Sequence, residues 1–366
     1  MNSRERVLRA FGKIEGLPDR VPVQFEMCRQ LCDHFGKALG IPVNYTENLY
    51  EDVTYRISAN ELRVAMGNDV VVTGASVFDD FKIEVDEQGR WHNEYQMLMR
   101  QGDIYVEVED YPLAHVQTRA DVDAYVFPDV EAPGRFRDAE ALVNKYKDDF
   151  LVIGDIEVTV FSLAQQLVGM EKLLLDMMME VEYIVPLFEA CAEFQTQIGL
   201  RLIELGVDAI WYGDDFGTQQ SLIMDPVTFR SLLKPVYTRM NKRFKAVKPD
   251  IIPILHCDGA VAPLLKDFSE MGFEVFNPVQ PDVPGHEAKD LKDNFGHLFS
   301  FWGAIDQQDL LPNGSDEELE KDIIEKIAIL GKGGGYMISP AHIIQKDVSP
   351  ERVLKFIELC KKHGKY

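Results

Sequence analysis

Short apolar runs alternate with amphipathic segments along most of this chain. The runs are rich in β-branched and aromatic residues, end at turn residues and are apolar almost throughout, as parallel strands covered on both faces are. The eight strands predicted in this way are residues 21–25, 69–73, 151–154, 209–212, 252–255, 274–277, 298–303 and 335–339.

Segments with a helical period lie between these strands. Strand and helix alternate from one end of the chain to the other, which predicts an α/β fold of the (β/α)8 TIM-barrel type, a single domain over residues 1–366. An open, doubly wound sheet is the alternative, but no Gly-x-Gly-x-x-Gly turn follows the first strand. The clearest predicted helices are 170–179, 183–205, 226–247, 262–271, 316–330 and 350–363.

Residues 77–108 interrupt this alternation. Polar and apolar positions alternate on both sides of a glycine-containing turn, which predicts an antiparallel β-hairpin inserted after the second strand. The insertion carries several aromatic residues, so we expect a lid over the barrel mouth that touches an apolar or aromatic substrate. The alternative is a surface hairpin that packs on a second copy of the chain in a homodimer. The aromatic residues expected to act in this way are Phe81, Trp91, Tyr95 and Tyr105.

Charge and cysteine content narrow the function classes. The 366 residues carry a formal net charge of −23 at pH 7, which argues against an extended surface for nucleic acid or for an anionic membrane. The five cysteines are scattered, no signal-peptide pattern opens the sequence, and no apolar run is long enough to cross a bilayer. We therefore expect a cytoplasmic protein with reduced thiols.

Polar residues follow most of the predicted strands, where the loops of a barrel build its active site. As catalytic groups the sequence predicts His342, Asp215 and Asp155. As substrate contacts it predicts Glu26, Arg29, Glu157, Tyr212, Gln219, Gln280 and Asp306.

The segment around His256 carries the most specific local signal. Alternate residues of a strand point the same way, so His256 and Asp258 share one face while Cys257 points to the other. With His342 from the end of the last strand, this pair predicts a Zn²⁺ site, completed by Glu157, by Gln280 or by water. The alternative is that the histidine and the aspartate only hydrogen-bond each other, as buried polar groups must.

Two neighbouring features have equally open interpretations. Asp214 and Asp215 are adjacent carboxylates, and each can raise the pKa of the other so that one holds a proton for acid–base work. The alternative is that one of them caps the following turn and the other faces solvent. His342 can serve as a ligand, as a general acid or as an ordinary loop histidine. The glycines at 333–335 precede their strand, so they indicate a helix stop and not a phosphate loop.

Several segments resemble one known family from end to end of the chain. Residues 254–265, with the sequence ILHCDGAVAPLL, are similar to the central signature of the uroporphyrinogen decarboxylase superfamily. The segments FNPVQ at 276–280, FWGAID at 301–306 and GGYMISPAH at 334–342 resemble it as well. Members of that superfamily are (β/α)8 barrels, so the resemblance implies the fold that the strand count also predicts.

The resemblance leaves two activities open. True uroporphyrinogen decarboxylases need no cofactor and hold an octacarboxylate tetrapyrrole with arginines of an Arg-Gln-Ala-Gly-Arg-Tyr segment. The matching segment here, MCRQLCD at 27–33, keeps Arg29 but lacks the second arginine. Because unpaired buried anions are costly, this loss counts against a decarboxylase.

The other branch comprises corrinoid-dependent methyltransferases, and its thiol-using members bind zinc with a His-x-Cys and a second cysteine. Here Asp258 stands at the first cysteine and His342 at or beside the second, a harder ligand set that suits oxygen-bearing substrates. The resemblance thus implies methyl transfer from a small O- or N-methylated substrate, preferably an aryl methyl ether. A Lewis acid or a general acid would assist at the ether oxygen while cobalt(I) attacks the methyl carbon.

The corrinoid would belong to a separate partner protein, because the chain has no Asp-x-His-x-x-Gly cobalamin-binding motif. A uroporphyrinogen decarboxylase is the second hypothesis, and a barrel that only binds a small ligand is the third.

Overall fold

Seven parallel strands form the central sheet of the molecule, and their order in the sheet is their order along the chain. The computed structural model describes residues 1–45, 55–102 and 106–366. All seven strands are buried throughout, as the nearly unbroken apolar runs predict. They are β1 (Val70–Gly74), β5 (Leu151–Asp155), β6 (Ala209–Gly213), β7 (Ile252–His256), β8 (Val275–Val279), β9 (Ser300–Ile305) and β10 (Tyr336–Pro340). The sheet is that of a TIM-barrel-like fold.

Residues 21–25, predicted as the first strand, lie between the two edges of this sheet. On one side the N–H of Gln24 donates to the carbonyl of Ile338 at 3.0 Å, in a parallel bridge to β10. On the other side the N–H of Asp69 donates to the carbonyl of Val23 at 2.9 Å, just before β1. This extended segment therefore connects the first and last strands of the sheet by backbone hydrogen bonds.

Helices follow the strands and cover the sheet. The predicted helix over 226–247 is divided at Leu233, because Pro235 has no N–H to donate and occupies the first turn of a new helix. The helices are α1 (Ser3–Ala10), α2 (Arg29–Leu39), α3 (Asn60–Met66), α4 (Arg119–Ala124), α5 (Arg137–Tyr146), α6 (Phe161–Val168), α7 (Met170–Met178), α8 (Ile184–Leu205), α9 (Pro226–Leu232), α10 (Lys234–Val247), α11 (Leu265–Glu270), α12 (Ala288–Phe295), α13 (Leu310–Asn313), α14 (Asp316–Leu330) and α15 (Pro350–His363). A 3₁₀ turn, Ala262–Leu264, precedes α11.

Two buried apolar clusters show which way the strand residues point. The smaller cluster gathers alternate positions of several strands, among them Ile153, Trp211, Ile254 and Trp302, in the interior that the sheet encloses. The positions between them belong to the larger cluster, which lies between the sheet and the helices. Side chains in phase with Ile254 therefore reach the interior, and their neighbours along the strand do not.

A small antiparallel sheet of three strands, β2 (Arg90–His92), β3 (Leu98–Gln101) and β4 (Val106–Asp110), lies within the region of the predicted insertion. This sheet does not establish the predicted hairpin, because residues 81–86 form no strand. Residues 103–105, which include Tyr105, lie outside the described residues. Tyr95 is buried, and its ring packs edge-on against Phe194 of α8 at 5.7 Å between centroids.

A search of the described helices for a membrane-spanning segment finds none that is both long enough and apolar enough.

Candidate metal centre and active site

Three predicted metal ligands, His256, Asp258 and His342, converge at the carboxyl ends of β7 and β10. These three side chains are called the metal cluster below. The ligand atoms of His256, Asp258 and His342 all lie within 4.8 Å of one another. Oδ2 of Asp258 is 3.8 Å from Nε2 of His256 and 3.8 Å from Nε2 of His342. Tetrahedral zinc with bonds of about 2.0–2.1 Å places its ligand atoms roughly 3.3 Å apart, so small movements would complete the site. In the described ranges, no other group of three His, Cys, Asp or Glu side chains comes this close.

His256 is held in the orientation that a ligand needs. Its Nδ1 lies 2.7 Å from Oδ1 of Asn277 in β8, the strand paired with β7. With Nδ1–H donating to this amide oxygen, the lone pair of Nε2 faces Asp258. The ring of His256 also stacks on Trp211, with centroids 5.5 Å apart. Packing and hydrogen bonding therefore fix the ring plane and direct Nε2 toward Asp258.

The charge environment of His256 favours a cation. Burial by itself would lower the pKa of this imidazole, but the carboxylates of Asp258, Glu157 and Asp215 outweigh burial and raise the pKa to about 9. A metal ion bound at Nε2 would take the place of that proton.

Asp215 supports the backbone of the metal cluster. Its Oδ1 accepts a hydrogen bond of 2.8 Å from the N–H of Asp258. Burial and the nearby Asp258 carboxylate both raise the pKa of Asp215. The preceding Asp214 is a structural residue: it accepts hydrogen bonds from the N–H groups of Val160 and Ser162 and from the hydroxyl of Tyr237. The open question about this pair of aspartates is thereby resolved for Asp214, which anchors a loop.

A buried arginine lies beside the metal cluster and meets three of the predicted carboxylates. Arg56 is 3% exposed, and its guanidinium lies 3.6 Å from Glu26, 3.4 Å from Asp155 and in contact with Glu157. It also lies 5.0 Å from the ring centroid of Trp211, so that one indole contacts both the guanidinium and His256. The charge of Arg56 is therefore already committed to protein carboxylates.

Glu157 connects this ion-pair cluster to the metal cluster. Burial would raise the pKa of Glu157, but Arg56 and then His256 and His342 lower it, so the group is an anion. Its side chain lies over Gly213, where a Cβ atom would be 2.2 Å from Cγ of Glu157. Gly213 pairs with His256 in the register of β6 and β7. The absence of a side chain at Gly213 thus seats Glu157 next to the histidine.

Asp155 is the deeper of the two carboxyls. Burial raises its pKa to about 7, against the lowering effect of Arg56. Its Oδ1 accepts a hydrogen bond of 2.8 Å from the N–H of Glu157. A carboxyl with a pKa near neutrality can hold or release a proton at working pH.

A cavity of about 360 Å³ opens in front of Asp258 and His342. Gln280 lines it and is fixed on both sides: its Oε1 accepts from the N–H of Gly259 at 2.9 Å, and its Nε2 donates to Oε1 of Gln219 at 3.1 Å. Asp306 lines the same cavity, and its carboxylate accepts hydrogen bonds from the backbone of residues 308–310. A larger open depression of about 720 Å³, lined by residues 9–17 and 332–335 among others, contains none of the predicted site residues.

Two predicted substrate contacts do not join this group. Tyr212 is fully buried and donates a hydrogen bond from its hydroxyl to Asn241 of α10 at 2.8 Å, because its position in β6 points to the helices and not to the interior. Arg29 is exposed, and its guanidinium lies 4.4 Å from the ring centroid of Tyr45. Cys257 points away from the metal cluster, as strand alternation predicts, and its Sγ accepts from the N–H of Phe216.

Sequence reasoning missed three residues of the site: Arg56, Asn277 and Trp211. Trp211 and Asn277 were within reach, since both share the strand phase of the interior positions. Arg56 had a weaker signal, which is that three carboxylates predicted at one barrel mouth require a cation nearby.

The fold and the polar strand ends define an α/β barrel-like protein with its site on the carboxyl ends of the strands. Residues 105–363 match the family model of uroporphyrinogen decarboxylase (URO-D), and the chain belongs to this family.

Comparison with solved structures supports the fold. A methyltransferase from Methanosarcina mazei aligns over 99% of both chains with a TM-score of 0.69 and 16% sequence identity. An α-amylase from Geobacillus thermoleovorans aligns over 65% of this chain and 64% of its own, with a TM-score of 0.39 and 13% identity, too low to carry an argument. No curated protein matches the sequence.

Proposed function

We propose that this chain is a corrinoid-dependent methyltransferase that takes a methyl group from a small O- or N-methylated substrate, an aryl methyl ether in the first instance. The observation that carries the proposal is the convergence of His256, Asp258 and His342 at the mouth of a URO-D family barrel. The likeness of the fold to a methyltransferase agrees with it.

The residues of the cluster fit Zn²⁺. Two imidazoles and a carboxylate are zinc ligands, the distances need only small adjustments, and Asn277 supplies the hydrogen bond that orients a ligating histidine. Glu157, Gln280 or water would complete the coordination. With nitrogen and oxygen in place of sulfur, the site is matched to an ether oxygen better than to a thiol.

When bound there, the metal would supply Lewis acidity to the oxygen that loses its methyl group. The chain's own residues position and shield the reaction. Asp215 holds the backbone of Asp258, and Arg56 keeps Glu157 beside the histidines. If the site works without a metal, His342, Asp215 or Asp155 must donate a proton to the leaving oxygen.

The methyl acceptor in this proposal is the corrinoid of a separate partner protein, which would supply a cobalt nucleophile for the methyl group. The partner must approach the carboxyl ends of the strands, because the candidate ligands lie there. The predicted lid, the homodimer and the cytoplasmic location stay predictions.

A uroporphyrinogen decarboxylase is the alternative that the family match keeps open. Its substrate carries eight carboxylates, which need cations around them. The residues that line the cavity in front of His342 include two aspartates and no lysine or arginine. This lining favours methyl transfer over decarboxylation of such a substrate.

The proposal is tested with protein purified without chelators, which should contain close to one zinc per chain. Incubation with cob(I)alamin and a panel of methyl donors should then give the absorbance of methylcobalamin. His256→Ala and Asp258→Ala should lose both zinc and methyl transfer. Cys257→Ala is the matched control, because this side chain points to the helices, and it should keep both. Turnover of uroporphyrinogen without methyl transfer would reverse the assignment.

His342→Gln separates a ligand from an acid. Loss of zinc and rate together makes His342 a ligand, whereas full zinc with a collapsed rate makes it the proton donor. Full zinc with a normal rate would remove His342 from the site.

A further inference from the structure

We infer that the site accepts neutral or cationic methyl donors and rejects donors that carry a carboxylate or phosphate near the methyl group. This inference rests on the proposed function and adds the charge class of the substrate to it. It is carried by the distribution of charged side chains around the candidate metal centre.

Carboxylates dominate the walls of the site. Three cavities lie at the carboxyl ends of the strands: the one in front of His342, a recess beside His256 that shares Ala341 and His342 with it, and a third beside Asp155. Arg56 is the one lysine or arginine among the described residues that line them. The carboxylates that line them are Asp258, Asp306, Glu26, Asp155 and Glu157.

Arg56 cannot serve as the receptor for an anionic substrate without giving up protein partners. It is 3% exposed and contacts Glu26, Asp155 and Glu157. Withdrawing it toward a ligand would leave buried carboxylates unpaired, which is strongly unfavourable. Even a Zn²⁺ ion on His256 and its neighbours would leave the carboxylates of these walls in excess of the cations.

The residues outside the described ranges do not supply a cation either. Residues 46–54 and 103–105 contain no lysine or arginine in their sequence. Arg29 is exposed, packs against Tyr45 and does not line these cavities. The whole chain has a net charge of −23, so the long-range field also repels anions.

The remaining polar groups of the main cavity are uncharged amides. Gln280 donates to Gln219 and accepts from the N–H of Gly259, and Gln307 and Gln308 line the same cavity. Amides donate and accept hydrogen bonds without compensating a charge, so they suit hydroxyl, carbonyl or amine groups of a ligand. The lining thus binds a polar ligand by hydrogen bonds and disfavours an anion.

The experiment compares three donors that share one methoxybenzene core and differ only in the para substituent: 4-methoxybenzyl alcohol, 4-methoxybenzylamine and 4-methoxybenzoate. Binding to the zinc-loaded protein is measured by calorimetry, and methyl transfer by methylcobalamin absorbance. We expect the alcohol and the amine to exceed the benzoate at least about tenfold in affinity and in kcat/KM, as repulsion between like charges at this range requires. Equal or tighter binding of the benzoate would overturn the inference.

A charge insertion sharpens the test. Gln307→Arg places a cation in the cavity wall and should raise the benzoate-to-alcohol ratio of affinities about tenfold. Gln88→Arg makes the same change in an exposed turn of residues 86–89 and should leave the ratio unchanged. If both variants shift the ratio equally, the effect comes from net charge and the local assignment is wrong.

Failure of the inference and failure of the proposed function give different results. Selective binding of the alcohol or the amine without methyl transfer from any donor upholds the charge preference and sinks the methyltransferase proposal. Methyl transfer with a preference for the benzoate supports the methyltransferase proposal and contradicts the charge preference. If none of the three binds or reacts, both are contradicted for aryl methyl ethers.

Discussion

Gly213 offers a direct perturbation of the site, because the space above its Cα is filled by Glu157. A Cβ atom at Gly213 would lie 2.2 Å from Cγ, 2.9 Å from Cδ and 3.1 Å from Cβ of Glu157. Non-bonded carbon atoms prefer about 3.5–4.0 Å, so Gly213→Ala must displace the Glu157 side chain by roughly 1 Å or more. Such a displacement separates the carboxylate from Arg56 and from the metal cluster.

The loss of folding stability caused by Gly213→Ala can be estimated from the ion pairs around Glu157. Breaking a fully buried ion pair costs about 3–5 kcal/mol. Here the Glu157 side chain is 29% exposed, and Arg56 keeps its contacts with Glu26 and Asp155, so we expect a loss of about 1–2 kcal/mol. In a chain of this size that corresponds to a fall in Tm of roughly 1–3 °C. Methyl transfer should fall at least about tenfold in kcat/KM, since an ångström of misplacement is costly in catalysis.

The assay combines thermal unfolding, zinc content and initial rates for Gly213→Ala and for a matched control. Gly74 also ends a central strand, but a Cβ atom there would meet nothing closer than 3.4 Å. Gly74→Ala should therefore change Tm and rate little. In a Glu157→Ala background the clashing Cγ and Cδ atoms are gone, so Gly213→Ala should cost much less than it does alone. Additive effects, or equal losses at Gly74, would refute the steric reasoning.

Three further predictions concern residues around the site. Asn277→Leu removes the hydrogen bond that orients His256 and should weaken zinc binding about 10–100-fold at nearly unchanged Tm; unchanged zinc affinity would contradict that role. Burial lowers the pKa of His286 to about 4, so its contribution to stability is present above pH 6.5 and is lost as the pH falls through 4. Between pH 6.5 and pH 4 we expect the free energy of unfolding to fall by up to about 3 kcal/mol because of this histidine. In denaturant titrations the variant His286→Phe should lack this part of the pH dependence. The same pH dependence in the variant and in the unmodified protein would contradict the prediction. Trp91→Ala should raise KM if the insertion is a lid, whereas an unchanged KM with an altered oligomer size would favour a packing role.

Strand phase explains how much of the site the sequence could predict. In β7 the alternation of side chains separates His256 and Asp258 from Cys257, and the structure follows it. The same phase along β6 brings Trp211 to the interior and sends Tyr212 to the helices. The predicted substrate contact at Tyr212 is therefore wrong, because its position in β6 is out of phase with the interior.

Other features depend on tertiary contacts that no local pattern encodes. Arg56 lies between the predicted strands and has no periodic neighbours, so the carboxylates that it pairs with are known only from the fold. The insertion shows a related limit. Alternation of polar and apolar residues fits any half-exposed extended segment. Residues 81–86 show this alternation but form no strand, whereas β2, β3 and β4 further along the chain pair with one another.

The position of residues 21–25 affects how the chain can be made. This segment hydrogen-bonds to β10, the last strand of the sheet in chain order, and to the residues just before β1. Until β10 has been synthesised, residues 21–25 lack one of their pairing partners, and backbone N–H and C=O groups at the sheet edge stay unpaired. Unpaired edges of this kind promote association between chains. Contacts between segments so distant in sequence also form slowly. We therefore expect fragments that stop before residue 336 to aggregate, because they lack the strand with which residues 21–25 pair.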